Sequence, residues 1–105
     1  MEERTVTLVN ESGPNSRLVT ATLQATGQLV ISAIDTGPLV EQFHGDSDYE
    51  FWFTLAKDAV PALVEKVGAE NVAQLLDVLA TTWSGERFPD LEELLRDLGA
   101  SFHSC

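Results

Sequence analysis

The chain has 105 residues, a mass of 11.5 kDa and a formal net charge of −11 at pH 7. This length predicts one domain, residues 1–105, and the acidic excess predicts repulsion from nucleic acid and from anionic lipid. No apolar run approaches the roughly 18 residues that span a bilayer, and the first residues do not resemble a secretory signal. A single cysteine, Cys105, allows no internal disulfide. We therefore expect a cytoplasmic protein that binds neither nucleic acid nor membrane.

Alternation of apolar and polar residues in the first half predicts an antiparallel sheet. Strands are expected at residues 5–9, 18–23, 29–34 and 49–55. The second and third strands are joined by a short turn that contains Gly27, which accepts a positive φ and so favours a hairpin. In the second strand Val19, Ala21 and Leu23 share one face, and polar residues share the other. This is the pattern of a sheet with one buried and one solvated face.

Apolar residues recur at helical spacing in the second half of the chain. Helices are expected near residues 58–67, 70–83 and 90–98. Asp58 is the predicted N-cap of the first helix, and Gly68 follows its end. Asp90 and Glu93 form the predicted capping box of the third helix.

Strands followed by helices on one core predict the α+β class. We expect an antiparallel sheet of four or five strands over residues of about 4–55, with a C-terminal strand as an optional addition, and three helices packed on one face. The predicted core includes Leu8, Val19, Leu23, Ile31, Phe51, Phe53, Leu63, Leu76, Leu79, Leu95 and Leu98.

Two short motifs suggest chemistry but lack the context that the chemistry needs. Asp35-Thr36-Gly37 matches the active-site triplet of aspartic proteases, but it is also an ordinary strand-ending turn, and the helical second half departs from the nearly all-β retroviral-type fold. A set of possible metal ligands lies at alternate positions of one segment: His44, Asp46, Asp48 and Glu50. A closed calcium loop would need further ligands at defined positions. We therefore predict no catalytic residue, no metal site and no cofactor.

The aromatic residues give the clearest indication of a binding surface. On the fourth strand Tyr49, Phe51 and Phe53 share a face, which we expect to lie in the core. Trp52 then points the other way together with Glu50. A sheet covered on one side would leave Trp52 near water, where an aromatic is typical of binding hot spots. The alternative is that Trp52 lies under a loop or against a long side chain of the neighbouring strand.

Charge supports the same surface. Between Arg17 and Lys57 there is no basic residue, whereas several acids fall in this stretch. A surface of one sign favours a basic protein partner or a cationic ligand, although the charge could also serve solubility alone. The predicted binding residues are Trp52, Glu50, Glu41, Asp46, Asp48 and His44.

Four stretches carry a resemblance to a known family: residues 4–11, 18–38, 49–53 and 60–64. In these stretches the chain resembles a family of small, uncharacterised acidic proteins of actinobacteria, especially streptomycetes. The resemblance implies a single cytoplasmic domain and no particular activity. It also implies that residues 100–104 form a short last strand that pairs with the sheet.

The sequence leaves three classes of function open. The first, which we favour, is a non-enzymatic protein-binding domain, for instance an immunity protein or an antitoxin that neutralises a basic partner. The second is a small-molecule-binding or regulatory domain with a pocket between sheet and helices. The third is a small enzyme of a biosynthetic cluster that uses either the acids between His44 and Glu50 or His103. The oligomeric state is not indicated by the sequence.

Overall fold

The computed structural model describes residues 2–38, 42 and 48–104, except for the side chain of Asp48. The elements are β1 (Arg4–Glu11), β2 (Ser16–Leu23), β3 (Leu29–Thr36), β4 (Asp48–Leu55), α1 (Val60–Val67), α2 (Val72–Thr82), α3 (Phe88–Asp97) and β5 (Ser101–Ser104). One turn of 3-10 helix precedes α1 at Lys57–Ala59 and another precedes α3 at Gly85–Arg87. The predicted α+β class, with antiparallel strands and three helices, is confirmed.

The five strands lie in the order β1-β2-β3-β4-β5, and each pair of neighbours is antiparallel. The β2–β3 turn forms as predicted, with φ of 97° at Gly27. There the Gln24 N–H donates to the Gln28 carbonyl at 2.9 Å, and the Gly27 N–H donates to the Gln24 carbonyl at 2.8 Å. The expected last strand is β5, which pairs with β4 from Phe51↔Ser104 to Thr54↔Ser101.

One face of the sheet, the inner face, packs against the helices. Alternate residues of the central strands are buried there, for example Val19, Ile31 and Phe53 at 0, 1 and 0% exposure. Their neighbours along each strand point to the opposite face and are half-buried or exposed. The period of two in the sequence is therefore the direct cause of the two-sided sheet.

A β-bulge interrupts this alternation in β1. Thr7 pairs with Thr20 and Val9 with Val19, so Leu8 is an extra residue with no opposite number on β2. Leu8 and Val9 are both buried as a result. Bulges are common on edge strands, where the local bend hinders pairing with another chain.

The helices begin later or earlier than their predicted caps. Asp58 is not the N-cap of α1, because it lies in the preceding 3-10 turn and α1 begins at Val60. The capping box of Asp90 and Glu93 is also wrong, since α3 begins at Phe88 and Asp90 already lies within its first turn. Both helices carry proline near the start, where its fixed φ favours helix and its missing N–H costs nothing.

Other helix ends follow the expected chemistry. Gly68 ends α1 in the left-handed conformation with φ of 80°. The N-cap of α2 is Asn71, whose side-chain oxygen accepts a hydrogen bond from the Gln74 N–H at 3.1 Å. In the part of the chain that the structure describes, no helix is long and apolar enough to cross a membrane.

The core between sheet and helices is entirely apolar among the described residues. Its largest fully buried side chains include Phe53, Phe88, Leu75, Leu76 and Leu79. Of the predicted core, all residues are buried except Leu98, which is only half-buried. Leu98 lies at the C-cap of α3, where the chain already turns away from the helix axis.

Replacement of Leu76 by alanine tests this packing. The side chain is 1% exposed, so Leu76→Ala should lower the free energy of unfolding by roughly 2–5 kcal/mol through lost burial and a residual cavity. Urea denaturation measures the change. The matched control is Gln74→Ala on the exposed face of α2, which should change stability by no more than about 0.5 kcal/mol. A loss below about 1 kcal/mol in Leu76→Ala would show that this side of α2 is not the packed one.

Candidate functional site

The outer face, defined as the side of the sheet turned away from α1, α2 and α3, is the candidate site. Its side chains form rows across the strands because paired residues on neighbouring strands share a face. One row is His103, Trp52, Ser32, Thr20 and Thr7, and the next is Glu50, Ile34, Leu18 and Asn10. Apart from these apolar and aromatic side chains, hydroxyl groups dominate the face.

Trp52 and His103 form an aromatic pair on this face. They are directly opposite on β4 and β5, with ring centroids 5.8 Å apart and an angle of 26° between the ring planes. Trp52 is half-buried and His103 is exposed. On its other side Trp52 faces the small Ser32 of β3. The expected outward orientation of Trp52 is therefore observed, and none of the three helices covers it.

An exposed apolar pair lies beside the tryptophan. Leu18 and Ile34 are opposite each other on β2 and β3 and are 41% and 40% exposed. Glu50 is opposite Ile34 on β4 and is also exposed. An indole, two aliphatic side chains and a carboxylate thus lie within two adjacent rows, which is the mixture of anchor and polar rim found at protein interfaces.

None of the six lysines and arginines of the chain lies at an outer-face position of a described strand. Arg4 donates to Asp77 of α2 at 2.8 Å, and Arg17 is bound to Asp35 on the inner face. The others lie in the 3-10 turns or the helices: Lys57, Lys66, Arg87 and Arg96. The fixed charge described on the outer face is therefore negative, and Glu50 carries it.

The predicted binding residues are only partly described. Trp52 and Glu50 lie on the same face of β4, two residues apart. Asp48 pairs with Thr36 through the backbone, but its side chain is outside the described part of the structure. Glu41, His44 and Asp46 also lie outside the described residues.

Three residues of the face were not predicted as site residues: His103, Leu18 and Ile34. Alternation in the strands was a signal for Leu18 and Ile34, because both lie out of phase with the core. His103 needed the pairing of β5 with β4, which the resemblance implied but which no local pattern specifies. Within the described residues, no group of three or more histidine, cysteine, aspartate or glutamate side chains is arranged to hold a metal ion.

The Asp35-Thr36-Gly37 triplet forms the end of β3 and the turn after it. Asp35 accepts two hydrogen bonds from Arg17, from Nε at 2.7 Å and from the second guanidinium nitrogen at 2.8 Å. The guanidinium of Arg17 thus binds both oxygens of the carboxylate. Gly37 has φ of 126°, and a Cβ there would lie 2.3 Å from the Pro14 carbonyl oxygen, so glycine is required by the turn.

A second carboxylate, Glu92 of α3, faces this ion pair. Its side chain is 18% exposed, and one carboxylate oxygen lies 3.8 Å from the guanidinium of Arg96. Burial raises the pKa of Glu92, and the charge of Asp35 adds to the increase, while Arg96 and Arg17 oppose it. The cluster is an inner-face charge network at the margin of the core rather than part of the outer face.

The raised pKa of Glu92 predicts a specific dependence of stability on pH. In the window that begins at its ordinary value of 4.5, the folded protein binds more protons than the unfolded chain. The free energy of unfolding therefore falls as pH rises through this window. Glu92→Gln should reduce that fall, as measured by urea denaturation at several pH values from about 4 to 7. The exposed neighbour Glu93 gives the control Glu93→Gln, and parallel profiles for wild type and Glu92→Gln would contradict the assignment.

The second tryptophan, Trp83, has a different environment. The guanidinium carbon of Arg87 lies over its ring, 4.7 Å from the centroid, and Arg87 also binds Asp90 at 3.0 Å. The indole N–H of Trp83 is buried and has no hydrogen-bond partner among the described residues. The guanidinium of Arg87 thus covers one face of the Trp83 ring, whereas the Trp52 ring is stacked with the imidazole of His103.

Comparison of the chain with protein-family models, with curated proteins and with solved structures finds no match. The resemblance to the actinobacterial family therefore stays a prediction. The assignment of a function depends on the geometry of the outer face.

Proposed function

We propose that this chain is a non-enzymatic protein-binding domain whose outer face binds a basic protein partner. The observation that carries the proposal is the distribution of residues between the two sides of the sheet. The outer face presents Trp52, Leu18 and Ile34 with Glu50 beside them, and all six lysines and arginines lie elsewhere. An immunity protein or antitoxin would use such a surface against a basic target.

The aromatic and aliphatic side chains supply the binding energy in this proposal. A half-buried tryptophan is already held by its neighbours, so little conformational entropy is lost when a partner covers it. Trp52 is held between His103 and Ser32, and the Leu18–Ile34 pair extends the apolar area across β2 and β3. Water leaves this area when the partner binds.

Electrostatics supplies the selectivity. The net charge of −11 attracts a basic partner over a distance and accelerates encounter at low ionic strength. At contact, the carboxylate of Glu50 is next to Ile34, so one lysine or arginine of the partner can pair with Glu50 while its aliphatic stem covers Ile34. The described outer face offers no lysine or arginine with which an acidic partner could form an ion pair.

A groove on the inner side supports the second candidate, a small-molecule-binding domain. It has a volume of about 550 Å³ between the β1–β2 hairpin and the start of α3. Leu8, Val9 and Phe88 contribute apolar surface, and Glu11 and Arg17 contribute charge. A ligand of this groove would not contact Trp52, so the Trp52 variant described next distinguishes the two candidates.

Truncation of Trp52 tests the proposed function. The probe is a decapeptide of alternating lysine and leucine, with a glutamate–leucine decapeptide of the same pattern as the charge control. Trp52→Ala should weaken binding of the lysine peptide by about 2 kcal/mol, near thirtyfold in Kd by isothermal titration calorimetry, with the circular dichroism spectrum retained. Trp83→Phe is the matched control and should change Kd less than about twofold. Equal loss in both variants, or equal binding of both peptides, would contradict the proposal.

Charge reversal locates the electrostatic part of the interaction. Glu50→Lys and Glu65→Lys change the net charge equally, but Glu50 is on the outer face and Glu65 is exposed on α1. At physiological salt, exposed charges farther apart than about 8 Å are largely screened. Glu50→Lys should therefore raise Kd about tenfold and Glu65→Lys less than twofold. The same increase in both variants would mean that net charge alone drives binding.

A further inference from the structure

We propose that His103 makes the outer face a pH-dependent binding site, which holds a basic partner when the imidazole is neutral and releases it when the imidazole is protonated. This inference rests on the proposed function, because it concerns the same face and the same partner. It adds a regulatory role for a residue outside the predicted binding set.

The geometry places the imidazole against the anchor of the site. His103 is opposite Trp52 in the β4–β5 pair, and the two rings are stacked with centroids 5.8 Å apart and planes at 26°. Trp52 is half-buried, whereas His103 is exposed, so solvent reaches the imidazole. A change in the charge of His103 therefore occurs directly beside the indole that a partner would cover.

The groups described around His103 include few charged side chains. On β4 the neighbouring outer-face residues are Trp52 and Thr54, and the one carboxylate described on that face is Glu50, two residues from Trp52. On β5 itself the other outer-face residue is Ser101. Arg96 lies on the inner side, over the ring of Phe53. Glu50 is thus the one charged side chain described on the outer face beside Trp52 and His103. In the proposed function the same carboxylate pairs with the partner.

Protonation of His103 would weaken the binding of a basic partner in two ways. Imidazole is the ordinary side chain whose charge changes between about pH 5 and 8. The imidazolium would form a cation–π pair with the indole of Trp52. A cation of the partner could then no longer bind to the same ring face. It would also repel that cation and offset the charge of Glu50. Both effects weaken the binding of a basic partner on acidification.

The strand arrangement makes this coupling local. β5 is an edge strand, and its described neighbour in the sheet is β4. Phe102 points to the inner face and contacts the rings of Phe51 and Phe53 at centroid distances of 5.8 and 5.2 Å, which fixes the register that brings His103 to Trp52. Protonation of His103 can therefore act on the site without a change of fold.

The test compares the lysine–leucine decapeptide at about pH 8 and about pH 5.5, on either side of the imidazole range. Kd of the wild type should rise about fivefold or more on acidification, as expected for one added positive charge a few ångströms from the ligand. In His103→Gln, which cannot be protonated, the ratio of the two Kd values should fall below about twofold. The ratio in His103→Gln also contains any contribution from Glu92 and His44, so the difference between the two ratios isolates His103.

A measurement without peptide separates this inference from the proposed function. Fluorescence of Trp52 in a Trp83→Phe background should change between about pH 8 and 5.5 and lose that change in His103→Gln. Ring-proton shifts of His103 by NMR report the same titration in the unmodified chain. A fluorescence transition with tight but pH-independent peptide binding would overturn the proposed pH dependence and leave the proposed function intact. Absence of peptide binding at about pH 8 would overturn the proposed function and, with it, the proposed pH dependence.

Discussion

Coverage of the antiparallel sheet on one side is the constraint on which the rest of this structure depends. The helices bury the apolar residues of the inner face, including Val19, Ile31 and Phe53, which are at most 1% exposed. Because successive strand residues point to opposite faces, the same packing fixes Trp52 on the side that the three helices do not cover. The core and the candidate site are therefore two consequences of one alternation, and a shift of register by one residue would exchange them.

Separation of charge follows from the same arrangement. The arginines contact acids and rings on the helical side, as in Arg4 with Asp77, Arg17 with Asp35 and Arg96 over Phe53. The outer face is left with hydroxyl groups, a few apolar side chains and Glu50. A surface with few charges costs less to desolvate than a densely charged one, and its sign still discriminates between basic and acidic partners.

Much of this fold could be predicted from local sequence pattern. Alternation identified four strands, helical spacing identified three helices, and the outward direction of Trp52 followed from Phe51 and Phe53. The caps at Asp58 and Asp90 failed because prolines start α1 and α3 at other residues. The contact of His103 with Trp52 depends on pairing between β4 and β5, whose paired residues are about fifty positions apart in the chain. Local patterns carry no information on such pairing.

The central claim is that the outer face of the sheet, rather than the acidic helical surface, binds a basic partner. NMR titration of the isotope-labelled protein with the lysine–leucine decapeptide measures this directly, residue by residue. The account predicts the largest shifts at the Trp52 indole N–H and at the backbone amides of Ser32, Ile34 and Glu50, with saturation at a single stoichiometry. Shifts concentrated on acids of α1 and α3, such as Glu65 and Glu93, would contradict it and would show non-specific attraction to net charge.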